Sequence, residues 1–105
     1  MNLAQIARMA QQMQTQMAQA QSELREMTVE TTAGGGAVRV VITGAQEVRL
    51  IEIDPAAVDP TEVEMLQDLV MAAVNDAIAQ SKELERARMA SVAGGIGLSG
   101  VPDMR

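Results

Sequence analysis

Carboxylates are the side chains of this sequence that are best placed to do acid–base or metal chemistry. Five lie close together in the chain: Asp54, Asp59, Glu62, Glu64 and Asp68. Neighbouring carboxylates can act as a general acid and base, and clustered carboxylate oxygens can bind Ca²⁺. A calcium-binding EF-hand, however, needs an Asp-rich loop with a central glycine, and this segment has none. We therefore expect no metal site and no catalytic residue here.

Most other catalytic side chains are missing from the sequence. The 105 residues include no Cys, no His and no Phe, Trp or Tyr, which excludes thiol and imidazole chemistry and the usual metal ligands. The run Gly34-Gly35-Gly36 precedes a strand-like segment, whereas a phosphate-binding P-loop ends in Gly-Lys-Ser/Thr at the start of a helix. The sequence predicts a protein that is not an enzyme, with no cofactor and no small-molecule substrate.

Basic side chains remain as candidates for a functional role, because Lys and Arg contact DNA phosphates. The candidates are Arg8, Arg25, Lys82, Arg86 and Arg88. The net charge of the chain is −6. The formal charges of residues 82–105, however, sum to +1. The basic residues therefore have two interpretations: they contact DNA, or they belong to a solvated helix surface and pair with acids one turn away.

The spacing of apolar residues predicts two long helices with a sheet between them. The first helix, over about residues 2–27, has a heptad seam made of Leu3, Ile6, Ala10, Met13, Met17, Ala20, Leu24 and Met27. Residues 28–54 alternate β-branched and polar side chains between glycine turns, which predicts a three-stranded antiparallel meander. The predicted fold class is therefore α+β.

The start of the second helix carries the clearest local signal. We expect Asp59 to be the N-cap, Pro60 the first helical residue and Glu62 the partner in a capping box. Ala93-Gly94-Gly95 is expected to end the helix. The predicted organisation is a single domain over residues 1–93, with this helix over about 60–92, and a flexible glycine-rich tail over 94–105.

The composition also predicts location and assembly. No stretch is apolar enough to cross a membrane, and the first 27 residues are interleaved with Gln and do not form a signal peptide. We therefore expect a cytoplasmic protein. Because a small chain without aromatic residues builds only a small core, we also expect it to bury one face against a second copy.

Asn75-Asp76 is unusual in the middle of a helix, because neither residue favours that position. One interpretation is a contact to a partner or to DNA. The other is hydrogen bonding at a dimer interface or to the edge of the sheet.

Six short segments follow one another along nearly the whole chain. They are Ala10-Gln11-Gln12-Met13-Gln14, Ile42-Thr43-Gly44, Ile51-Glu52-Ile53-Asp54-Pro55, Glu64-Met65-Leu66-Gln67-Asp68-Leu69-Val70, Ala72-Ala73-Val74-Asn75-Asp76-Ala77 and Met89-Ala90-Ser91. Their succession, at compatible spacing, resembles the YbaB/EbfC family of small bacterial nucleoid-associated proteins.

The resemblance implies a homodimer that is built on the sheet, with projecting helical arms that grip double-stranded DNA. It further implies binding with little sequence preference, which would organise the nucleoid or modulate gene expression. The residues expected at the dimer interface are Val38, Val40, Ile42, Leu50, Ile51, Leu66, Val70 and Asn75.

An alternative function is that of an acidic protein-interaction adaptor. The heptad seam of the first helix would then recruit another helical protein, and the acidic face of the second helix would deter nucleic acid. Retention on heparin at low salt would distinguish a phosphate binder from such an adaptor.

Overall fold

The computed structural model describes residues 2–96 of the chain. The elements are α1 (Leu3–Glu26), β1 (Thr28–Ala33), β2 (Val38–Thr43), β3 (Val48–Ile53), a short 3₁₀ helix (Pro55–Ala57) and α2 (Val63–Ile96). The predicted α+β order of a long helix, an antiparallel meander and a second long helix is confirmed. Residues 97–105, which form most of the predicted tail, lie outside the described residues.

α1 begins with a capping box that the sequence analysis did not identify. The Asn2 side chain accepts a hydrogen bond from the backbone N–H of Gln5 (2.8 Å), and the backbone N–H of Asn2 donates to the Gln5 side chain (3.1 Å). The first turn of a helix has N–H groups without partners inside the helix. The two residues satisfy two such donors and fix the start of α1 at Leu3.

The sheet is antiparallel, with β2 in the centre of the order β1-β2-β3. Val40 of β2 pairs with Ile51 of β3, and a β-bulge interrupts this pairing farther along the strands. The turn between β1 and β2 contains three glycines at positive φ. At Gly34, the φ of 65° and a Leu69 methyl group 2.9 Å from the position of an added Cβ both disfavour any larger residue.

The hydrophobic core lies between one face of the sheet and α2. Its buried members are Val38, Val40, Ile42, Ala73 and Ala77. The two alanines let the helix lie close to the sheet, and the hydroxyl of Thr31 in β1 donates to the backbone carbonyl of Ala73 (2.8 Å). α2 packs on β1 and β2, while all six residues of the edge strand β3 stay exposed.

The predicted start of α2 is wrong by three residues. The carboxylate of Asp59 accepts hydrogen bonds from the backbone N–H (2.9 Å) and the hydroxyl (2.8 Å) of Thr61. The backbone N–H of Glu62 donates to the carbonyl of Asp59 (2.9 Å). These bonds close a turn in which Asp59 is not an N-cap, Pro60 is not helical and Glu62 makes no capping box, so the helix begins only at Val63.

Ser81 joins α2 to the turn between β2 and β3. Its hydroxyl donates to the backbone carbonyl of Thr43 (2.6 Å) and accepts from the backbone N–H (3.2 Å) and the side-chain amide (2.9 Å) of Gln46. Gln46 has a φ of 59°, in the left-handed region that few residues other than glycine adopt. Because Ser81 is fully buried, these bonds fix the position of α2 where it leaves the sheet.

Beyond Ser81, α2 packs antiparallel against α1. Near the sheet, Glu23 of α1 accepts two hydrogen bonds from the guanidinium of Arg88, at 3.0 and 2.5 Å. Farther out, the facing side chains are Met13, Met17, Met89, Val92 and Ala93. α2 continues to Ile96, so the predicted end near residue 92 is too early. We call this helix pair the arm; it consists of residues 3–24 and 82–96.

The arm makes the molecule elongated, with extents of 70 × 29 × 15 Å. The heptad seam predicted in α1 is divided along the arm. Ala20 and Leu24 are buried near the sheet, whereas Leu3 and Ile6 at the other end are exposed. Contacts within the chain therefore bury only part of the heptad seam.

Replacing Ser81 by alanine should destabilise the fold by more than the loss of one small side chain suggests. The change removes three hydrogen bonds, one to the Thr43 carbonyl and two from N–H groups of Gln46, and each such bond contributes roughly 0.5–1.5 kcal/mol net. We expect the midpoint of thermal unfolding to fall by roughly 5–15 °C. Ser91→Ala, at an exposed position of the same helix, is the control. Equal midpoints for the two variants would contradict this account.

Candidate nucleic-acid interface

Lys82 and Arg86 lie on the same exposed side of α2, because residues four apart in a helix are neighbours. The guanidinium of Arg86 donates to the carboxylate of Glu83 at 2.6 and 2.9 Å. These hydrogen bonds, and then the charge of the partner, raise the pKa of Arg86 and lower the pKa of Glu83. Both groups stay ionised at neutral pH, so Glu83 partly compensates the positive charge of Arg86.

Arg88 lies on a different side of α2, facing α1. Its ion pair with Glu23 is partly buried, with 31% of the Arg88 side chain and 42% of the Glu23 side chain exposed. The charge of Glu23 compensates that of Arg88, so Arg88 attracts a phosphate group less than a free arginine does. The structure therefore separates Arg88 from Lys82 and Arg86, because Arg88 holds the two helices of the arm together.

Arg8 and Arg25 lie near the two ends of α1, and both are exposed. Arg8 borders a shallow surface groove together with Gln5 and Gln12. Arg25 lies in the last turn, at the base of the arm, where its backbone carbonyl accepts a hydrogen bond from the guanidinium of Arg49 (3.1 Å). Together with Lys82 and Arg86, these residues place basic groups at both ends of the arm.

Arg49 is a basic residue at the arm base that the sequence analysis did not select. Half of its side chain is exposed, and its Nε lies 3.1 Å from Oε1 of Glu47. In the sequence it alternates with apolar residues of a strand and carries no separate signal. Its proximity to Arg25 arises only because β3 folds back against the end of α1.

The sheet face opposite α2 does not offer a basic surface at Arg39. The Nε atom of Arg39 lies 3.1 Å from Oε1 of Glu52, and another guanidinium nitrogen lies 3.3 Å from Oε2 of Glu30. The hydrogen bond to Glu52 raises the pKa of Arg39. Two carboxylates on the neighbouring strands therefore surround one positive charge.

Three residues that were expected at a dimer interface lie inside the single chain. Val38, Val40 and Ile42 have no exposed surface, because α2 covers them. They are core residues of this fold, and the dimer proposed below does not use them.

The side chains of the other residues expected at a dimer interface are at least partly exposed. Leu66 and Val70 are half-buried at the margin of the core. Leu50 and Ile51 are exposed on β3, and Asn75 is exposed on α2. Of these five residues, the two that are both exposed and apolar, Leu50 and Ile51, lie on the edge strand.

The acidic side chains serve the local structure. Within residues 2–96, no group of three or more potential ligands is arranged to hold a metal ion. The carboxylate of Asp54 accepts from the backbone N–H of Ala56 (2.9 Å), and Asp76 accepts from the side chain of Gln80 (3.3 Å). The hydrogen bonds from Thr61 lower the pKa of Asp59.

Within residues 2–96, neither long helix is apolar enough over a sufficient length to cross a membrane.

Comparison with known proteins bears on the function of these surfaces. The model of the YbaB/EbfC DNA-binding family matches residues 1–96. A nucleoid-associated protein of Acetivibrio thermocellus is 47% identical over 103 residues, which cover 98% of this chain and 89% of that protein. One from Moorella thermoacetica is 56% identical over 85 residues, with coverage of 81% and 82%. One from Chloroflexus aurantiacus is 50% identical over 96 residues, with coverage of 91% and 96%.

A solved structure has the same fold. The crystal structure of an uncharacterised protein from Helicobacter pylori matches with a TM-score of 0.80 at 22% sequence identity, and the match covers 90% of this chain and 99% of that one. The helix, meander and helix are therefore shared with a distant sequence. By the family match over residues 1–96 and by its identity to the bacterial nucleoid-associated proteins, this chain belongs to the YbaB/EbfC DNA-binding family.

Proposed function

We propose that this protein is a homodimer that binds double-stranded DNA through the backbone phosphates, with little sequence preference. It acts in the bacterial cytoplasm, where it organises the nucleoid or modulates gene expression, and it catalyses no reaction. The observation that carries the proposal is the arm and its base, where Arg8, Arg25, Lys82 and Arg86 are exposed. A projecting helix pair with basic groups can lie along a duplex without a preformed pocket.

The distribution of charge favours contact through the arm. The sheet-bound half of α2 carries Glu64, Asp68 and Asp76 and no basic residue, whereas the arm carries four basic residues against three acids, Glu23, Glu83 and Glu85. Phosphates would therefore be repelled from one half of the molecule and attracted to the other. Contacts to phosphates orient a protein on the duplex but read no sequence, which is why we propose binding with little preference.

A dimer formed through β3 would cover the exposed edge of the sheet. Ile51 pairs with Val40, and Ile53 pairs with Val38, so both isoleucines point to the face on which α2 packs. α2 does not reach them, and 45% of Ile51 and 36% of Ile53 remain exposed. An edge strand with free backbone groups and exposed apolar side chains favours association with another chain. A second copy placed here would extend the core and double the number of arms.

Titration of a fluorescent mixed-sequence duplex with the protein, followed by anisotropy, tests the proposed function. We expect saturable binding that weakens as the salt concentration rises. Unlabelled duplexes of any sequence should compete equally well with the labelled one. In Lys82→Ala/Arg86→Ala, we expect the affinity to fall by roughly tenfold at low salt, with a shallower salt dependence. Absence of binding at low salt, together with flow-through on heparin, would overturn the proposal in favour of the adaptor function.

Glu83→Gln should increase DNA affinity. The change removes the carboxylate that holds the Arg86 guanidinium at 2.6 Å. Because exposed pairs of this kind are weak, we expect a modest gain, of roughly 1.5- to fivefold at low salt. Glu64→Gln is the matched control, because it changes the net charge equally on the same helix but lies on the half that packs on the sheet. An equal gain in both variants would show that only the net charge matters.

Ile51→Glu should convert the dimer to a monomer, because association would bury a carboxylate without a partner. The chain itself should stay folded, because Ile51 is exposed in the single chain. Sedimentation equilibrium gives the mass, and circular dichroism checks the fold. Thr32→Glu, on the other edge strand β1, should leave the mass of the wild type unchanged. A wild-type monomer, or an unchanged dimer in Ile51→Glu, would contradict the proposed interface.

A further inference from the structure

The outer half of the arm is held together by apolar side chains, three of which are thioethers. α1 and α2 border a cleft of about 160 Å³ there, lined by Met13, Met17, Met89, Val92 and Ala93. None of these side chains has a hydrogen-bond donor, and the sulfur atoms are their only polarisable groups. Contact between the helices at this level therefore depends on apolar packing of methionine.

The methionines of this cleft are open to small reagents. About 42% of Met13 and 40% of Met17 are exposed, and Met89 is half-buried. The chain contains no Cys, His, Trp or Tyr, so methionine is its most readily oxidised type of residue. A two-electron oxidant that meets this protein will react with thioethers before any other side chain.

We propose that Met13, Met17 and Met89 form an oxidation site that controls the rigidity of the arm, with a peroxide as the oxidant. The sulfur lone pair attacks one oxygen of hydrogen peroxide, an S–O bond forms and the O–O bond breaks. Sulfur is oxidised by two electrons to the sulfoxide, and the peroxide is reduced to water after proton transfer. The product is a polar group in place of a flexible apolar one.

A sulfoxide fits the cleft less well than a thioether, because its oxygen is a hydrogen-bond acceptor and the surrounding side chains offer no donor, so that water must supply one. The oxidised residues must turn to solvent, and the outer parts of the two helices separate. Near the sheet, Leu24 is buried and the Glu23–Arg88 ion pair remains, so the opening is confined to the end of the arm. A loosened arm presents its basic groups less rigidly, and this step of the proposal rests on the proposed DNA binding.

Amide hydrogen exchange before and after treatment with hydrogen peroxide tests the oxidation site without DNA. Mass spectrometry of peptides identifies the oxidised methionines. We expect exchange in residues 10–20 and 86–93 to accelerate by roughly tenfold or more, while the sheet stays protected. Methionine sulfoxide reductases acting on both sulfoxide epimers, with a thiol as reductant, should restore the slow exchange.

Two matched variants show which methionines are responsible. Met13→Leu/Met17→Leu/Met89→Leu keeps the volume of the cleft but has no sulfur there, and it should resist the treatment. Met65→Leu/Met71→Leu removes two exposed methionines from the half of α2 on the sheet, and it should loosen like the wild type. Exchange that is unchanged by oxidation, or that accelerates equally in the triple variant, would overturn the oxidation site.

DNA binding by the same samples tests the consequence. We expect oxidation to weaken binding by the wild type several-fold and to leave binding by the triple leucine variant unchanged. Full affinity of a protein with a loosened arm would overturn the link between arm rigidity and binding. If the untreated protein does not bind DNA, the proposed function fails by itself, and the exchange measurement still decides whether the oxidation site exists.

Discussion

The close contact of α2 with the sheet, through Ala73, Ala77 and Ser81, determines the arrangement of the rest of the molecule. These residues are four apart, and at most 1% of each is exposed. Because they are small, the helix backbone comes near enough for Thr31 to reach the Ala73 carbonyl (2.8 Å) and for Ser81 to reach the Thr43 carbonyl (2.6 Å). These hydrogen bonds, one at each end of the contact, fix the direction of the helix. The remaining residues of α2, at 1.5 Å each, extend roughly 20 Å past that point.

The direction of α2 also determines where α1 lies and which charges are available. Ala20 and Leu24 of α1 are buried where α1 packs on the projecting part of α2, and Leu24 also lies against Gly44 in the turn after β2. The ion pair between Arg88 and Glu23 then fastens the two helices, which removes one basic group from the surface. With no aromatic residue in the chain, the arm is stabilised by methionine, valine and alanine contacts and by this ion pair. The result is an elongated molecule with acidic groups beside the sheet and exposed basic groups on the arm.

The sequence predicted the element order because each element has a strong local pattern. The heptad spacing of α1 and the alternation of Val38, Val40 and Ile42 both depend on neighbouring residues alone. The start of α2 was wrong because Thr61 offers Asp59 a competing local hydrogen bond, which a search for a capping box does not consider. The glycine pair at the predicted end was overridden as well, since the helix runs on to Ile96.

Features that depend on distant residues could not be predicted in the same way. An alternating strand shows that one face is buried, but it does not show whether a helix of the same chain or a second copy covers that face. Arg88 looked equivalent to Arg86, and only the folded chain reveals that its partner is Glu23, 65 residues away in the sequence. The proximity of Arg49 to Arg25 has the same origin.

The most direct test of the central claim, that the arm is the DNA-contacting part, is a two-dimensional NMR titration of ¹⁵N-labelled protein with a mixed-sequence duplex. We expect the backbone signals of residues around Arg8, Arg25, Lys82 and Arg86 to shift. The signals of Glu30, Arg39 and Glu52, on the sheet face opposite α2, should stay in place. Shifts confined to that face of the sheet, or no shifts at low salt, would contradict the account.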